Sequence, residues 1–431
     1  MDRFDVVVVG ASIAGCTAAT LLARDGLRVA LLEAHRDENS YKRLCTHYIQ
    51  SSATPVIERL GLAGELDALG AVHNLGDFWT PYGWVRESDA QPGCPPFGYS
   101  LRRAVLDPLL RRTAAAEPTL DLRLGAKVRE VVRDRTGRVV GVTATTPEGD
   151  REFRARLVVG ADGKHSKVAE AAGLTARTLP NNRFGYYAHY RNVGVPGWPR
   201  GKLWLRANGD AVYVFPNDDG VTLLATMPTK ARLEEFRRDG LETGLLASYE
   251  GLPEAPDLSR AERVSDVVGT PDYPNVFREK IHAPGVALIG DAAMTGDPLW
   301  GVGCGWAFQT GAWLADEAGP VLRAGGDVDA AVRRYASVHK KRLRPHFKLT
   351  SDYSTGRPFN AFERLLYAAA PHDPVVANAF WRYGTRNASP AALLSPRVLT
   401  RALLARRRAR STSAVPPQRA DTHDAETRQP A

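Results

Sequence analysis

Residues 4–33 read FDVVVVGASIAGCTAATLLARDGLRVALLE, and this stretch decides the fold of the chain. The run of four valines predicts a buried parallel strand, the small residues of Ile13–Asp25 predict a helix, and Val29–Leu32 predicts a second strand that ends in Glu33. A turn with glycines at positions 10 and 15 joins the first strand to the helix. This order of strand, glycine turn, helix, strand and terminal acid predicts a dinucleotide-binding βαβ unit.

Each part of the unit has a physical role. Gly10 permits the tight turn, and Gly15 lets the helix pack closely against the strand. The helix N-terminus presents N–H groups to a pyrophosphate, and the carboxylate of Glu33 can accept hydrogen bonds from an adenosine ribose. Ser12 replaces the usual middle glycine, and we expect its hydroxyl to tolerate or contact the pyrophosphate.

Length and composition are those of an ordinary globular protein. A chain of 431 residues has room for two or three domains, and 44% of its residues are hydrophobic. No apolar run approaches the ~18 residues of a membrane span, so we predict no transmembrane segment. Because the chain begins with a strand, it leaves no room for a signal peptide, and we predict a cytoplasmic protein.

The charge and the cysteines exclude several function classes. The net charge of +9 is partly local, since five arginines lie between Arg401 and Arg410, where a solvated basic helix end is favoured over membrane contact. No zinc-finger or RNA-binding signature is present, so no nucleic-acid partner is predicted. The cysteines form no Cys-x-x-Cys pair and the histidines show no metal-ligand spacing, so neither a disulfide framework nor a metal site is predicted.

The chain alternates between two kinds of pattern. Helices are predicted at Ser52–Leu60, Ser100–Ala116 and Gly305–Ala324, and β-rich alternation begins near Thr178. The predicted nucleotide-binding domain comprises residues 1–74, 99–177 and 275–350, and a β-rich substrate domain comprises 75–98 and 178–274. C-terminal helices are predicted over 351–410 and a disordered tail over 411–431.

Two later motifs accompany the opening unit: Val158-Val-Gly-Ala-Asp162-Gly163-Lys-His-Ser166 and Ala287-Leu-Ile-Gly290-Asp291-Ala-Ala293. In this order the three segments resemble the FAD-dependent aromatic hydroxylases, the class A flavoprotein monooxygenases typified by para-hydroxybenzoate hydroxylase. The resemblance covers about residues 1–350. It implies an α/β fold in which a Rossmann-like, glutathione-reductase-type FAD-binding domain carries an inserted β-sheet substrate domain and a C-terminal helical segment.

The resemblance also implies FAD as the bound cofactor and NAD(P)H as a transient electron donor. The helix entry Arg103-x-x-Leu106-x-x-x-Leu110 matches a family motif whose arginine lies near the flavin phosphates. Asp291 would accept hydrogen bonds from the ribityl chain, act as a helix N-cap, or do both. The implied cofactor-binding residues are Gly10, Ser12, Ile13, Ala14, Gly15, Glu33, Ala34, Arg43, Arg103, Val128, Asp162, Gly163, Gly290, Asp291, Pro298, Gly301, Val302 and Gly303.

The chain departs from the family pattern at three positions. Ala169 stands where the family usually has arginine after Asp-Gly, which weakens the implied nicotinamide contact. Met294 replaces the usual histidine after Gly-Asp-Ala-Ala, and Gly305 replaces the usual asparagine of the flavin loop. Contacts that those side chains make to the flavin edge must be absent or replaced, although the loop itself can still stabilise negative charge through its backbone N–H groups.

The segment Arg43–Gln50 occupies the place of a loop beside the isoalloxazine in the family. We expect Arg43 to contact the cofactor or to gate its movement. For Cys45 we favour a packed thiol, with a flavin neighbour and a covalent flavin tether as alternatives. Yellow colour that persisted in acid-precipitated protein would support the tether.

Catalytic and substrate residues follow less directly from the pattern. His47 and His189 are candidate bases for deprotonating a phenol, because histidine titrates near neutrality, and Tyr213 is a third catalytic candidate. Tyr186, Tyr187 and Trp300 are candidate contacts for a planar aromatic substrate. Aromatic residues on strands are more often core, so we expect only some of these side chains to touch a ligand.

The main functional interpretation is an FAD-dependent monooxygenase of secondary metabolism. It would hydroxylate an aromatic or polyketide-like small molecule through a flavin C4a-hydroperoxide, using NAD(P)H and O2. Three alternatives stay open: a flavin-dependent halogenase, a geranylgeranyl-reductase-like saturase, and a non-catalytic flavoprotein. The halogenase Trp-x-Trp-x-Ile-Pro signature is absent, while Cys45 and the missing flavin-edge asparagine favour the saturase. Homodimer and monomer are both compatible with the sequence.

Overall fold

The structure is a computed structural model that describes residues 2–88 and 93–412. Its strands are β1 (Asp2–Val9), β2 (Val29–Glu33), β3 (Tyr48–Ile49), β4 (Val72–Asn74), β5 (Gly76–Thr80), β6 (Gly83–Arg86), β7 (Gly98–Ser100), β8 (Leu120–Leu124), β9 (Lys127–Arg133), β10 (Val139–Thr146), β11 (Gly149–Gly160), β12 (Ala176–Leu179), β13 (Gly185–Arg191), β14 (Gly201–Leu205), β15 (Ala211–Pro216), β16 (Thr222–Met227), β17 (Glu262–Arg263), β18 (Val268–Thr270), β19 (Asn275–Arg278), β20 (His282–Ala283), β21 (Val286–Leu288) and β22 (Met294–Thr295). Its α-helices are α1 (Ile13–Arg24), α2 (Thr54–Arg59), α3 (Ala63–Ala68), α4 (Arg103–Ala115), α5 (Lys167–Ala171), α6 (Leu233–Asp239), α7 (Leu241–Ala247), α8 (Val302–Arg323), α9 (Val328–Tyr353), α10 (Ala361–Ala369), α11 (Pro374–Gly384) and α12 (Pro396–Thr412). Short 3-10 turns lie at Ser51–Ala53, Lys230–Arg232, Gly290–Ala292, Pro298–Trp300, Ala370–His372 and Pro390–Leu394.

The valine run forms the centre of the first sheet. The strand order is β20-β21-β11-β1-β2-β8, and β10 and β9 extend from β11 as an antiparallel pair. β1 is parallel to both β2 and β11, and Val6, Val7 and Val8 are fully buried. A strand buried on both faces needs a continuous apolar run, which explains the absence of alternation in this stretch. Helices α1 and α8 pack against each other beside this sheet.

A second sheet has the order β17-β13-β16-β15-β14-β5-β6, with β18 paired to β13. Strands β5 and β6 come from the Trp- and Gly-rich stretch that precedes residue 89, and β5 joins the sheet parallel to β14. Apolar side chains of α10–α12 share one cluster with the sheet residues Phe78 and Tyr213. The C-terminal helices therefore cover part of this sheet, although the division of the chain into domains stays a prediction.

Several predicted helix boundaries were wrong by a few residues. The predicted helix from Ser100 begins as α4 at Arg103, because residues 98–100 form the short strand β7. The helix predicted from Gly305 begins as α8 at Val302, because Gly301 takes a left-handed φ of +60° and ends the preceding turn. The segment predicted to be a helix from Ser52 starts as a 3-10 turn before α2. The predicted tail begins with the last residues of α12, and 413–431 lie outside the described residues.

Within 2–88 and 93–412, no helix combines the length and the apolar content that crossing a bilayer requires. In the same ranges, no group of three or more His, Cys, Asp or Glu residues is arranged to hold a metal ion.

Candidate functional site

A cavity of about 670 Å³ lies where the first sheet meets the N-termini of α1 and α8. This volume is within the range of about 300–1,000 Å³ that is usual for cofactor and ligand sites. Most of the predicted cofactor residues line it: Gly10, Ser12, Ile13, Ala14, Glu33, Ala34, Arg103, Val128, Asp162, Gly163, Asp291, Pro298, Gly301, Val302 and Gly303. The tertiary structure thus brings segments from four distant parts of the sequence to one cavity.

The glycine turn has no room for side chains. Gly10 has φ of +102°, and a Cβ there would lie 2.6 Å from the carbonyl oxygen of Ala161. A Cβ on Gly15 would lie 1.8 Å from the carbonyl oxygen of Gly10, so α1 approaches the turn more closely than any side chain allows. Gly15 itself does not line the cavity, and its role in the structure is this close packing.

Glu33 lies at the carboxyl end of β2 and is 8% exposed. One oxygen accepts a hydrogen bond from Ala11 N at 2.9 Å, and the other accepts one from His35 N at 2.9 Å. Each carboxylate oxygen retains a further lone pair, so the hydroxyls of a ribose have acceptors here. The two backbone donors fix the direction in which those acceptors point.

The side chain of Arg103 holds the hydroxyl of Ser12 in place. The Ser12 hydroxyl accepts a hydrogen bond from Arg103 Nη2 at 2.6 Å. The same guanidinium donates to both oxygens of Asp107, at 2.8 and 2.9 Å, and both side chains are almost completely buried. The charge of Arg103 is therefore neutralised by Asp107, and the guanidinium acts beside the N-terminus of α1 as a donor that holds the Ser12 hydroxyl in place.

Asp162 has a structural role in addition to its place in the cavity wall. Its carboxylate accepts hydrogen bonds from the hydroxyl of Ser166 at 2.5 Å and from the backbone N–H of Lys167 at 2.7 Å. These bonds cap the start of α5, while burial raises the pKa of the Asp162 carboxyl. Gly163 follows with φ of +81° and open space around it, so the turn leaves room for a ligand.

Asp291 and Lys42 form an ion pair in the cavity wall, with 2.7 Å between Nζ and Oδ2. The Asp291 carboxylate raises the pKa of the Lys42 ammonium, so this side chain stays protonated. Gly290 packs against α1, since a Cβ on it would lie 2.8 Å from Ala14 Cβ. This contact explains why Gly290 is needed although it does not line the cavity.

The loop before α8 forms the opposite end of the cavity. Asp297 is fully buried and accepts a hydrogen bond from Leu299 N at 2.7 Å, which holds the turn Pro298–Trp300 in place. The residues Gly301–Gly303 then present backbone N–H groups at a helix N-terminus, an arrangement that stabilises negative charge. Met294 packs with Trp306 in an apolar cluster, so the position of the usual histidine is part of the core here.

Arg43 does not line the cavity. Its side chain is 65% exposed and pairs with Asp266 at 3.2 Å. Its carbonyl oxygen accepts a hydrogen bond from the hydroxyl of Tyr187, which ties this loop to β13. The structure therefore assigns Arg43 to the surface beside the cavity rather than to its wall.

The two candidate bases form a stacked pair, and neither lines the large cavity. The rings of His47 and His189 are 5.0 Å apart at an angle of 24°. His47 is 2% exposed and its Nδ1 accepts a hydrogen bond from Arg103 N at 3.1 Å. Burial and the neighbouring His47 lower the pKa of His189 to about 3, so this ring is neutral near pH 7.

The other aromatic candidates line two smaller cavities. Tyr213 is 2% exposed and its hydroxyl donates to Leu299 O at 2.7 Å, so it ties the second sheet to the loop before α8. Tyr213 and Trp300 line a cavity of about 50 Å³, and Tyr186 and Tyr187 line another of about 60 Å³. The second of these adjoins the large cavity, since both are lined by Cys45 and Pro298.

Several wall residues did not emerge from sequence reasoning. Lys42, Tyr273 and Cys304 all line the large cavity. Arg111 also lines it and donates a hydrogen bond to Ala11 O at 3.1 Å, which supports the glycine turn. The sequence contains a signal for two of these wall residues. Arg111 lies two helical turns after Arg103, on the same side of the predicted helix, and Cys304 directly follows Gly303 of the flavin loop.

The residues of the cavity fit FAD. The turn at Gly10 has φ of +102°, and the N-terminus of α1 with the adjacent Arg103 suits a pyrophosphate. Carboxylate acceptors for hydroxyls are available at Glu33 and Asp291 at different places in the wall. The pyrophosphate and the hydroxyl groups of the cofactor thus find groups of suitable charge and hydrogen-bonding character.

Comparison with known proteins identifies the family. Residues 3–342 match the family model described as FAD binding domain, which is well over half of the chain. The chain therefore belongs to the FAD-binding domain family and is an FAD-dependent oxidoreductase. This match confirms the resemblance to the FAD-dependent aromatic hydroxylases. The structure confirms the predicted α/β fold with C-terminal helices.

The curated relatives include reductases. Digeranylgeranylglycerophospholipid reductase 1 of Methanopyrus kandleri is 29% identical over 368 residues, which cover 83% of this chain and 91% of that protein. Menaquinone reductase of Mycolicibacterium smegmatis is 29% identical over 373 residues, covering 80% of this chain and 81% of that protein. Among solved structures, a flavoprotein/dehydrogenase from Cytophaga hutchinsonii shares the fold, with a TM-score of 0.77 over 96% of this chain and all of that chain, at 17% identity.

Proposed function

We propose that this member of the FAD-binding domain family is a flavin-dependent reductase that saturates carbon–carbon double bonds in an isoprenoid chain. Two curated relatives that extend over most of this chain are named as reductases of a geranylgeranyl lipid and of menaquinone. The saturase was an alternative of the sequence interpretation, and the relatives favour it over the main interpretation, hydroxylation.

The observation that carries the proposal is a cavity of about 60 Å³, largely apolar, that adjoins the flavin cavity at the Cys45 loop and has room for a short part of such a chain. Its wall includes Phe184, Tyr186 and Met227 on or beside strands β13 and β16, with the buried polar side chains of Asn181 and Arg183 next to them. It shares Cys45 and Pro298 with the large cavity. Removal of an apolar chain from water is favourable by about 25 cal/mol per Å² of buried surface. An alkene held in such a wall needs no charged partner, whereas a phenol needs a base to deprotonate it.

The positions of the candidate bases weigh against a phenol. His47 and His189 stack on each other outside both the flavin cavity and the apolar cavity. With its pKa near 3, His189 is a weak proton acceptor at neutral pH. The hydroxyl of Tyr213 already donates to Leu299 O.

The N-terminus of α1, Glu33 and Asp291 would hold the cofactor, and the cavity would exclude water from the reacting bond. The chemistry that a reduced flavin would supply here is hydride transfer to one carbon of the double bond. The second carbon needs a proton, and two wall residues keep one near neutral pH. Burial raises the pKa of Tyr273, and Asp291 raises the pKa of Lys42.

Monooxygenation is the second candidate, favoured by the retained loop Pro298–Gly303 and by the aromatic side chains of the second sheet. It would require O2 and an aromatic substrate, with NAD(P)H as the electron donor and a role in secondary metabolism. The two candidates differ in whether oxygen enters the product.

The test is an anaerobic turnover assay of the purified yellow protein with dithionite as the electron source. The substrates are geranylgeraniol and a menaquinone with an unsaturated side chain, and the products are analysed by mass spectrometry. We expect a gain of 2 mass units for each saturated bond. Tyr186→Ala should raise the KM for the isoprenoid, whereas Trp198→Ala, at a side chain that is 50% exposed elsewhere on the surface, should not. A gain of 16 mass units that needs O2, with no anaerobic product, would overturn the proposal in favour of monooxygenation.

A further inference from the structure

A second large cavity, of about 320 Å³, lies between the β19–β20 segment and one face of α9. Among the described residues, none that lines this cavity also lines the flavin cavity. Its volume is within the range of about 300–1,000 Å³ that is usual for ligand sites. Most of the side chains that α9 contributes recur every three or four positions and so share one face of the helix: Arg333, Ala336, Ser337, Lys340, Arg344 and Phe347.

The lining of this cavity carries a large excess of positive charge. Glu279 supplies its one carboxylate and pairs with Arg344 at 2.5 Å, while Arg333 lies 3.6 Å from Asp327. Within the described ranges, Lys280 and Lys340 form no ion pair. Lys340 and Arg344 lie four positions apart on α9, where like charges repel each other and destabilise a helix. The cationic side chains of the lining are Arg278, Lys280, Arg333, Lys340 and Arg344.

Arg278 is a buried cation in this wall, with 9% of its surface exposed. Its Nε donates a hydrogen bond to Leu174 O at 3.1 Å, and its Nη1 donates one to Ala292 O at 2.6 Å. Both acceptors are uncharged, and no carboxylate of the described residues forms an ion pair with this guanidinium. Buried charges are normally paired, because an isolated ion is costly to remove from water. Burial accordingly lowers the pKa of Arg278, and a bound anion would supply the missing counter-charge.

Two histidines of the same wall are consistent with an anion. His339 is 6% exposed, and its Nε2 has no hydrogen-bond partner among the described residues. An imidazole Nε2–H can donate to a phosphate oxygen. Burial and the positive charges of Arg333 and Lys280 lower the pKa of His282, so the charges of α9 and of the β19–β20 segment act on the same place.

The rest of the wall is apolar. The rings of Phe277 and Phe347 are 5.3 Å apart, and Met294 packs with both in one cluster. The guanidinium of Arg344 lies over the ring of Phe277, 5.2 Å from its centre. The cavity therefore combines cations that suit a phosphate group with an apolar surface that suits a carbon skeleton.

We propose that this cavity binds an organic phosphate ester. The phosphate group lies against Arg278, Lys280 and Lys340, and the apolar part of the ligand lies against Phe277 and Phe347. The site is separate from the flavin cavity, and its occupation does not depend on the reaction proposed above. The two sites are nevertheless close, because Arg278 donates to the carbonyl of Ala292, which directly follows Asp291 of the flavin cavity.

The test is isothermal titration calorimetry of the FAD-saturated protein, in which the cofactor prevents phosphates from entering the flavin cavity. The ligands are phenyl phosphate and inorganic phosphate. We expect one phenyl phosphate to bind per chain, more tightly than inorganic phosphate because of the apolar contacts. Its affinity should fall as the salt concentration rises, since salt screens the exposed lysines.

Variants on α9 separate a specific site from general attraction. Lys340→Ala should weaken the binding of phenyl phosphate by about 10-fold or more, as expected for loss of a charged hydrogen-bond donor. Lys341→Ala is the matched control, because it removes the same charge from the next position of the helix, at an exposed side chain outside the cavity. It should leave the affinity within about 2-fold of the wild type. Arg278→Gln should also weaken binding, and Lys340→Ala, at an exposed position, keeps the test valid should the Arg278 variant not fold.

A second arm identifies the source of the phosphate ester. The FAD-saturated protein is sedimented with phosphatidylcholine vesicles that contain or lack phosphatidic acid. Binding that needs phosphatidic acid and is lost in Lys340→Ala supports a lipid headgroup as the ligand. Binding of phenyl phosphate without binding to these vesicles supports a soluble ester.

Three results would overturn the inference. The first is that neither phenyl phosphate nor the phosphatidic acid vesicles bind. The second is that Lys341→Ala weakens binding as much as Lys340→Ala, which would show general attraction to a basic surface. The third is that inorganic phosphate binds as tightly as phenyl phosphate, which would leave the apolar wall without a role. Each result can be obtained whether or not the protein reduces isoprenoids, so the two proposals fail independently.

Discussion

The buried ion pair of Arg103 and Asp107 leads to a prediction in which a second substitution restores the stability of the protein and does not restore its binding of the cofactor. The two side chains are 4% and 1% exposed and are joined by two hydrogen bonds of 2.8 and 2.9 Å. Arg103→Met leaves the Asp107 carboxylate buried without its cation. Breaking such a pair from one side costs about 3–5 kcal/mol, because the remaining charge is uncompensated.

This cost should appear as a fall in Tm. An unfolding entropy of about 2.1 cal/mol/K per residue, over a chain of 431 residues, converts ~3–5 kcal/mol into about 3–6 °C. The double variant Arg103→Met/Asp107→Leu removes both charges, so it should recover most of that loss. Thermal unfolding of the flavin-free proteins, followed by circular dichroism, measures both values.

Cofactor binding should not recover in the double variant. Both variants lack the guanidinium that holds the hydroxyl of Ser12 at 2.6 Å beside the N-terminus of α1. Loss of the donor that holds Ser12 should weaken FAD binding by about 10-fold or more in each, measured by quenching of flavin fluorescence. The reasoning is refuted if the single variant keeps a Tm within about 1 °C of the wild type, or if the double variant is no more stable than the single one.

Three further predictions address the cavity. Gly15→Ala should abolish flavin binding, because the added Cβ would lie 1.8 Å from a backbone oxygen. A low ratio of absorbance at 450 nm to absorbance at 280 nm would show this loss. The control Gly64→Ala, whose Cβ meets nothing within 4 Å, should bind flavin normally. Asp291→Ala should raise the Kd for FAD by about 10–100-fold in a fluorescence titration, as expected for loss of a charged hydrogen-bond acceptor, whereas Asp266→Ala, 80% exposed, should leave it unchanged. The pKa of His189 is lowered from 6.5 to about 3, so the folded protein binds fewer protons than the unfolded chain and loses stability as the pH falls below 6.5. His189→Gln should remove about 1 kcal/mol of the loss between pH 6.5 and 5.5 in urea unfolding, and an unchanged loss would contradict the assignment.

Local sequence patterns were sufficient to predict those features that depend on the backbone of a single segment. The valine run, the turn with Gly10 and Gly15, and Glu33 at the end of β2 all appear in the structure where the sequence predicts them. The physical reason is that these features need only nearby residues. A strand buried on both faces must be apolar, and a turn without space for Cβ must contain glycine.

Contacts between side chains that are far apart in the sequence could not be predicted from local sequence patterns. Arg43 is adjacent in sequence to residues that line the cavity, yet its own side chain pairs with Asp266 at the surface. His47 and His189 looked like separate bases and are instead stacked together, with His189 neutral as a result of burial. In each case a partner on another element decides the orientation and the charge of the side chain.

The sequence by itself determined that the chain binds a dinucleotide at a βαβ unit and, through its three motifs, that the cofactor is FAD. Only the tertiary structure decided what else lines the cavity: the pair of Lys42 with Asp291, and the contact of Cys45 with Cys304 across 259 residues. The reason is that a nucleotide fold is specified by the periodicity and the glycines of adjacent residues. The other side chains that line the cavity come from loops that converge only after the sheets and helices have packed.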